Sequence, residues 1–300
     1  SGRLRALSGV SGRSVTDFQA IALALLQGVS ELFPISSLGH TILVPALFHW
    51  NNIKRDDPSF LAFVVVLHLG TALALLVFYR KEWWAIVRAL VASVVRGSLS
   101  RDRDERIGWL LVIGTIPVGI LGVLLEQPVR ALFASPAPVA IFLAINGLVM
   151  FAGEWLRQRQ HRSSGREDRP IETLKWPQSA LVGVAQSFAL LPGISRSGAS
   201  MVASLLFDLD HEDAARYSFL LATPVILAAA LLEIPKLSAP GAHVVAVQAV
   251  VGAVVAGIAA YFSVAFLTRY FKHNDLRPFG WYCLVMGVGC FILSRMGVLS

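Results

Sequence analysis

Charge is what this chain has least of. Acidic and basic residues make up 15% of its 300 residues, where a soluble domain carries about a quarter. That shortage excludes an ordinary soluble domain. Cysteine is nearly absent: Cys283 and Cys290 stand seven apart on one apolar segment with no partner ligands beside them. A disulfide scaffold is excluded, and the pair reads as small buried hydrophobes. Missing too are the short segments of alternating hydrophobicity, about ten residues each, that a transmembrane β-barrel needs. The first 17 residues are polar and basic without an apolar core, so no cleavable signal peptide is expected there.

What is present is oil in long runs. Hydrophobic residues reach 55%, and Val244–Thr268 is 25 residues without a formal charge. Phe60–Tyr79 runs for 20 with His68 as its one titratable group, and Gly108–Leu125 runs for 18. These lengths fit a hydrocarbon core of about 30 Å at about 1.5 Å per helical residue. The fold class is therefore an all-α polytopic membrane protein.

The net charge of +7 raises the question of nucleic acid, and its placement answers it. Seven basic residues fall between Arg80 and Arg106, six between Arg157 and Lys175, and three between Arg269 and Arg277. Arg130, Lys236 and Arg295 are alone in the intervening stretches. This alternation is the positive-inside pattern, so the basic loops are expected on the cytoplasmic side and no nucleic acid is expected as partner. Those loops also suit anionic lipid headgroups.

With basic loops inside, six spans follow: Phe60–Tyr79, Gly108–Leu125, Val139–Trp155, Tyr217–Ile234, Val244–Thr268 and Phe279–Ser294. Two oily regions remain, about residues 18–48 and 177–208, broken by Pro34–Gly39 and Pro192–Gly198. Each half is too short to cross, so each region reads as a re-entrant helical hairpin, the first entering from outside and the second from inside. Sliding the chain on itself by 159 residues gives ten identities in 35 positions, among them Gln27 on Gln186, Ser36 on Ser195 and Gly39 on Gly198. The expectation is one transmembrane domain over residues 1–300, built as an inverted-topology repeat with halves at about 16–156 and 175–298 and a polar segment at 1–15.

The chemistry does not repeat. Glu31 falls opposite Leu190, Ser37 opposite Arg196 and His40 opposite Ala199. Glu31 follows Gln27 by four, so on a helix the two share a face and could hold one divalent cation through oxygen; the plainer reading is a carboxylate neutralised by a helical neighbour. Ser36 and Ser37 follow Pro34, and a helix starting there puts His40 one turn from Ser37. An imidazole so placed could exchange a proton with a hydroxyl, or the serine could be a helix cap and the histidine an interfacial residue. Arg196 sits at expected membrane depth in Gly193-Ile-Ser195-Arg196-Ser197-Gly198. Its planar fork suits phosphate oxygens, with Ser195, Ser197 and Ser200 as hydroxyl donors and the glycines allowing close backbone approach. The alternative is an ion pair with Glu31 across the repeat. His68, Asn146, Glu154 and Glu233 read as packing residues, and Asp208–Asp213 as a solvated acidic loop.

At Gln27…Glu31, Pro34-Ile-Ser36-Ser37-Leu-Gly39-His40 and Pro192–Gly198 the chain resembles the undecaprenyl-diphosphate phosphatases, bacterial integral membrane enzymes that recycle the lipid carrier of the cell wall. The likeness runs from about residue 16 to the end. It implies hydrolysis of a C55 polyprenyl diphosphate to the monophosphate and inorganic phosphate, assisted by Mg²⁺ or Ca²⁺, in a fold of six spanning helices and two re-entrant hairpins. It implies catalytic roles for Glu31, Ser37, His40 and Arg196, and a bacterial inner-membrane site opening to the outer face. Gln27 stands where many members carry a second Glu, and Ser200 where Thr is frequent. A lipid-phosphate transporter is the rival reading, since secondary transporters share broken helices in inverted repeats. A homodimer is left open.

Overall fold

Eleven α-helices and no β-strand occupy the described residues of the computed structural model, namely 15–53, 58–100, 102–130, 135–165, 167–233 and 246–299. They are α1 Asp17–Ser30, α2 Ser37–Leu47, α3 Pro58–Phe78, α4 Arg80–Arg96, α5 Arg103–Arg130, α6 Pro136–Ser164, α7 Trp176–Ser187, α8 Arg196–Leu206, α9 His211–Glu233, α10 Ala246–Tyr270 and α11 Arg277–Arg295. The helices α5, α6, α9, α10 and α11 are each long and apolar enough to cross a bilayer, and α3 with its bent continuation α4 makes a sixth. The polar segment at 1–15 lies outside the described residues except for Val15, as does Lys236.

The two broken regions form as helix pairs, and local chemistry explains the breaks. Thr16 starts α1 with a capping box: its Oγ1 accepts from Gln19 N at 3.3 Å, while Gln19 Oε1 accepts from Thr16 N at 2.9 Å. Glu31 ends that helix, and Pro34 offers no N–H with which to continue it. Ser36 then caps α2, its Oγ accepting from Gly39 N at 3.2 Å. At the equivalent point of the second pair Ser195 caps α8, accepting from Gly198 N at 3.1 Å. The serine-to-glycine offset found by sliding the chain is therefore a pair of matched helix caps.

Small residues bring the long helices together. Between α3 and α10, Gly70 lies against the backbone of Ala253 and Gly257 against Gly70. Between α6 and α11, a Cβ on Gly147 would meet Leu284 N at 2.9 Å, and one on Gly287 would meet Ala144 Cα at 2.9 Å. Without a hydrophobic drive between helices in lipid, such backbone approach supplies the packing. The helix α1 lies on α10 as α7 lies on α5, while α3 faces α9 and α6 faces α11. These pairings are the ones a correspondence between the two halves calls for.

Two stretches differ from the sequence reading. Most of the basic stretch Arg80–Arg106 is helical rather than a loop: α4 leaves α3 at 85°. Its pattern is amphipathic, with Ile86 and Ser93 buried and Trp84, Val87, Val91 and Val94 exposed. Arg216 grips Glu82 at 2.9 and 3.2 Å from Nε, Glu105 accepts from Ser100 N at 2.6 Å and pairs with Arg96, and Trp109 donates to Ser93 Oγ at 2.9 Å. The Arg216–Glu82 pair thus holds the elbow, and the other contacts fix the far end of α4. The acidic run is likewise not a plain loop. Asp210 Oδ1 accepts from Asp213 N at 2.6 Å, and Glu212 and Asp213 form the first turn of α9, where carboxylates suit the helix dipole.

Candidate active site

The tips of the two hairpins touch. Ser36 Oγ accepts a second bond, from Gly193 N at 3.2 Å, and a Cβ on Gly39 would lie 3.1 Å from Gly193 Cα. Asn146 on α6 fastens both tips: its Oδ1 accepts from Ser195 N at 3.0 Å and its Nδ2 donates to Pro34 O at 3.0 Å. Ser197 Oγ donates to Phe33 O at 3.1 Å and pairs with Ser195 Oγ at 3.0 Å. Ser36 holds φ +70°, a costly conformation of about 1–3 kcal/mol that persists only where its surroundings dictate it. Gly193 takes φ +111°, and a Cβ there would meet Leu143 N at 2.8 Å. The N-termini of α2 and α8 therefore share one place, where backbone N–H groups and helix dipoles favour an anion.

Beside that junction stands a buried carboxylate with donors on every side. Glu31 Oε1 accepts from Arg196 Nη2 at 3.1 Å. Its Oε2 accepts from Ser37 Oγ at 2.5 Å and Gln27 Nε2 at 3.1 Å, and lies 3.3 Å from His68 Nε2. The side chains of Glu31 and Arg196 are 6% and 11% exposed. Arg196 also reaches Ser218 O at 3.4 Å through Nη1, yet its Nε is buried with no hydrogen-bond partner. Ser200 Oγ donates to Arg196 O at 2.8 Å, bracing the arginine's backbone, and lies 2.7 Å from Ser218 Oγ. One acceptor is idle as well: Gln27 Oε1 is buried without a partner. A buried guanidinium N–H and a buried amide oxygen left unpaired each cost about 1–3 kcal/mol. An anion for Arg196 and a cation for Gln27 are the ligands that such atoms suit.

Of the sequence-derived set, Gln27, Glu31, Ser37 and Arg196 come together directly, and Ser36, Gly193, Ser195, Ser197 and Gly198 form the junction that carries them. The hydroxyls of Ser195 and Ser197 are engaged in that junction. His40 is placed otherwise than its spacing suggests. Its Nδ1 lies 2.7 Å from Ser36 O and its Nε2 2.8 Å from Tyr282 OH, with the two rings stacked. A carbonyl only accepts, so Nδ1 carries the proton and Nε2 faces the tyrosine. The base beside the Ser37 hydroxyl is Glu31 instead.

His68 and Asn146 read as packing residues in the sequence, and Tyr282 did not stand out there at all; the structure places all three at the site. His68 had a signal, being the one titratable group in a 20-residue uncharged run, and an ionisable residue inside a membrane segment is functional by default. Asn146 stood out only as a polar residue on an apolar segment and Tyr282 not at all, because their partners lie 112 and 242 residues away. The side chain of Glu233 lies outside the described residues. Glu154 is structural: it accepts from His211 Nε2 at 2.7 Å and Leu276 N at 3.0 Å. No group of three or more His, Cys, Asp or Glu able to hold a metal occurs among the described residues.

The family model described as Bacitracin resistance protein BacA matches residues 20–289. The chain is 41% identical to Undecaprenyl-diphosphatase 2 of Frankia alni, over 93% of this chain and 98% of the relative. It is 46% identical to Undecaprenyl-diphosphatase 2 of Chromobacterium violaceum, over 90% and 96% of the two chains. It is 44% identical to Undecaprenyl-diphosphatase of Acidiphilium cryptum, over 94% and 100%.

Proposed function

The chain belongs to the BacA family, and we propose on that premise that it hydrolyses undecaprenyl diphosphate to undecaprenyl phosphate and inorganic phosphate, returning the lipid carrier to cell-wall synthesis. The observation that carries this is Arg196, a buried guanidinium with an idle Nε beside a Ser–Glu pair. The relatives named undecaprenyl-diphosphatase favour this reading over a transporter.

The terminal phosphate docks on Arg196 and the N-termini of α2 and α8, with the Ser195–Ser200 loop shaping the cradle. Ser37 Oγ attacks the terminal phosphorus, and its proton passes to Glu31 Oε2. The P–O bond to the lipid monophosphate breaks, and that monophosphate leaves with the bond's electrons. Water then attacks that phosphorus and passes a proton to His40; the P–Oγ bond breaks, Ser37 Oγ takes back the proton held on Glu31 Oε2, and inorganic phosphate leaves. The positive fork of Arg196 offsets charge that grows on the phosphoryl oxygens. Gln27 and Glu31 would hold a divalent cation, Mg²⁺ or Ca²⁺, through the idle Gln27 Oε1 and the carboxylate; when bound it supplies charge neutralisation at phosphate oxygens.

The same reading sets the protein in the bacterial inner membrane, with the basic segments 80–106, 157–175 and 269–277 cytoplasmic, the two halves of opposite sense, and the site opening outward. The alternation of these three basic segments with stretches that hold a single basic residue each supports that orientation. The test is phosphate release from C55 diphosphate by the purified protein in detergent, with and without Mg²⁺ or Ca²⁺, alongside Arg196→Ala. Metal-dependent release lost in the variant is expected. No release by folded wild-type protein with metal present overturns the phosphatase reading.

A further inference from the structure

Besides its share in the cation site, Glu31 must accept a proton from Ser37 and keep one orientation while the phosphate arrives. Its grip on that orientation comes from three elements. Gln27 shares helix α1 with it and moves with it. Arg196 comes from the second hairpin, and substrate will compete for that guanidinium. The third hold is His68 of α3, whose Nε2 lies 3.3 Å from Glu31 Oε2.

The histidine is itself fixed. Its Nδ1 lies 2.8 Å from Val64 O, one turn back on α3. A carbonyl oxygen on one nitrogen and a carboxylate oxygen on the other are both acceptors, so both ring nitrogens donate. Thr71 Oγ1 donates to His68 O at 2.7 Å and steadies the backbone there. The ring is thus a rigid bracket between a helix and one oxygen of the carboxylate, the same oxygen that takes the Ser37 hydroxyl bond.

We propose that His68 is a positioning residue for the hydrolysis: its Nε2–H holds Glu31 Oε2 toward the Ser37 hydroxyl once Arg196 has turned to the phosphate. The proposal rests on the phosphatase reading and deepens it. A carboxylate released from its bracket swings away from the serine, and a misplacement of about 1 Å costs about 100-fold in rate. Substrate affinity, which Arg196 and the helix termini supply, changes little.

The experiment compares wild type, His68→Gln and His68→Leu in the phosphate-release assay, with thermal unfolding of each. Glutamine keeps an N–H donor at nearly the same reach, and leucine keeps volume without one. Expected is a fall in kcat of about 100-fold for His68→Leu with KM within about threefold, and recovery of most of that loss in His68→Gln. His68→Met, also without a donor, replaces the leucine variant if that one does not fold. In the wild-type protein, proton NMR should show a protected ring N–H at His68 Nε2. Donor-less variants as fast as wild type, equal losses in the glutamine and donor-less variants, or no protected N–H would each overturn the proposal. Failure of wild type to release phosphate strikes the phosphatase reading instead, so the two failures are told apart.

Discussion

Arg196 Nη2 stands 3.1 Å from Glu31 Oε1, joining residues 165 apart in the chain across the tips of two broken hairpins. A buried charge stripped of its partner costs about 3–5 kcal/mol, so each residue is the other's reason for being stable at that depth. The pair also keeps the guanidinium Nε unspent.

That unspent donor makes arginine irreplaceable. Arg196→Lys retains the charge for Glu31 but cannot donate from a fork. A loss of about 10²- to 10³-fold in kcat is expected, with unfolding temperature close to wild type. Steady-state phosphate release together with a thermal melt checks this; a fully active lysine variant would count against bidentate phosphate binding.

Tyr282 orients His40. Removing its hydroxyl in Tyr282→Phe takes away the 2.8 Å partner of His40 Nε2 while keeping the stacked ring. One neutral hydrogen bond is worth about 1 kcal/mol, so a drop of about fivefold in kcat is expected. His40→Ala should be far more damaging. Equal effects of the two would mean that the tyrosine acts on chemistry directly.

Asn146 predicts a stability effect. Asn146→Leu leaves Ser195 N and Pro34 O buried without their partner, at about 1–3 kcal/mol each. A lower melting temperature in detergent is expected, along with reduced activity from loosened hairpin tips. An unchanged melt would show that the tips hold without this side chain.

Gly193→Ala tests the junction from the backbone side. Its φ of +111° and the contact of a new Cβ with Phe142 Cβ at 2.9 Å both oppose a side chain. Strain of about 1–3 kcal/mol adds to a similar overpacking cost. Poor folding or a large fall in melting temperature is the expected result, read by size-exclusion profile and thermal melt.

Gln27→Glu tests the cation site. A second carboxylate raises the charge of the ligand set, which tightens divalent binding. The Mg²⁺ dependence of phosphate release should shift to lower concentration, by about tenfold. A curve that does not move removes Gln27 from the metal's coordination.

The membrane class, the six long helices and the two hairpins were legible in the sequence. Their signals are local: uncharged run length, Pro34 and Pro192 as breaks, and clusters of arginine and lysine between runs. Self-similarity at 159 residues also pointed to the matched serine caps before any coordinate did. The helix α4 was hidden because its basic residues read as loop, although its apolar residues recur at helical spacing. Motif residues such as Glu31, Ser37 and Arg196 announced themselves, since polar groups in an oily segment stand out against their background.

What the tertiary structure alone decided is who faces whom. Spacing put His40 one turn from Ser37, but the cap at Ser36 draws the imidazole onto its own carbonyl, and α11 brings Tyr282 to the other nitrogen. Glu31 inherits the serine as a result. His68 and Asn146 gained their roles when α3 and α6 packed beside the hairpins, because a hydrogen bond reaches about 3 Å and nothing in one dimension says which distant helix will come that close.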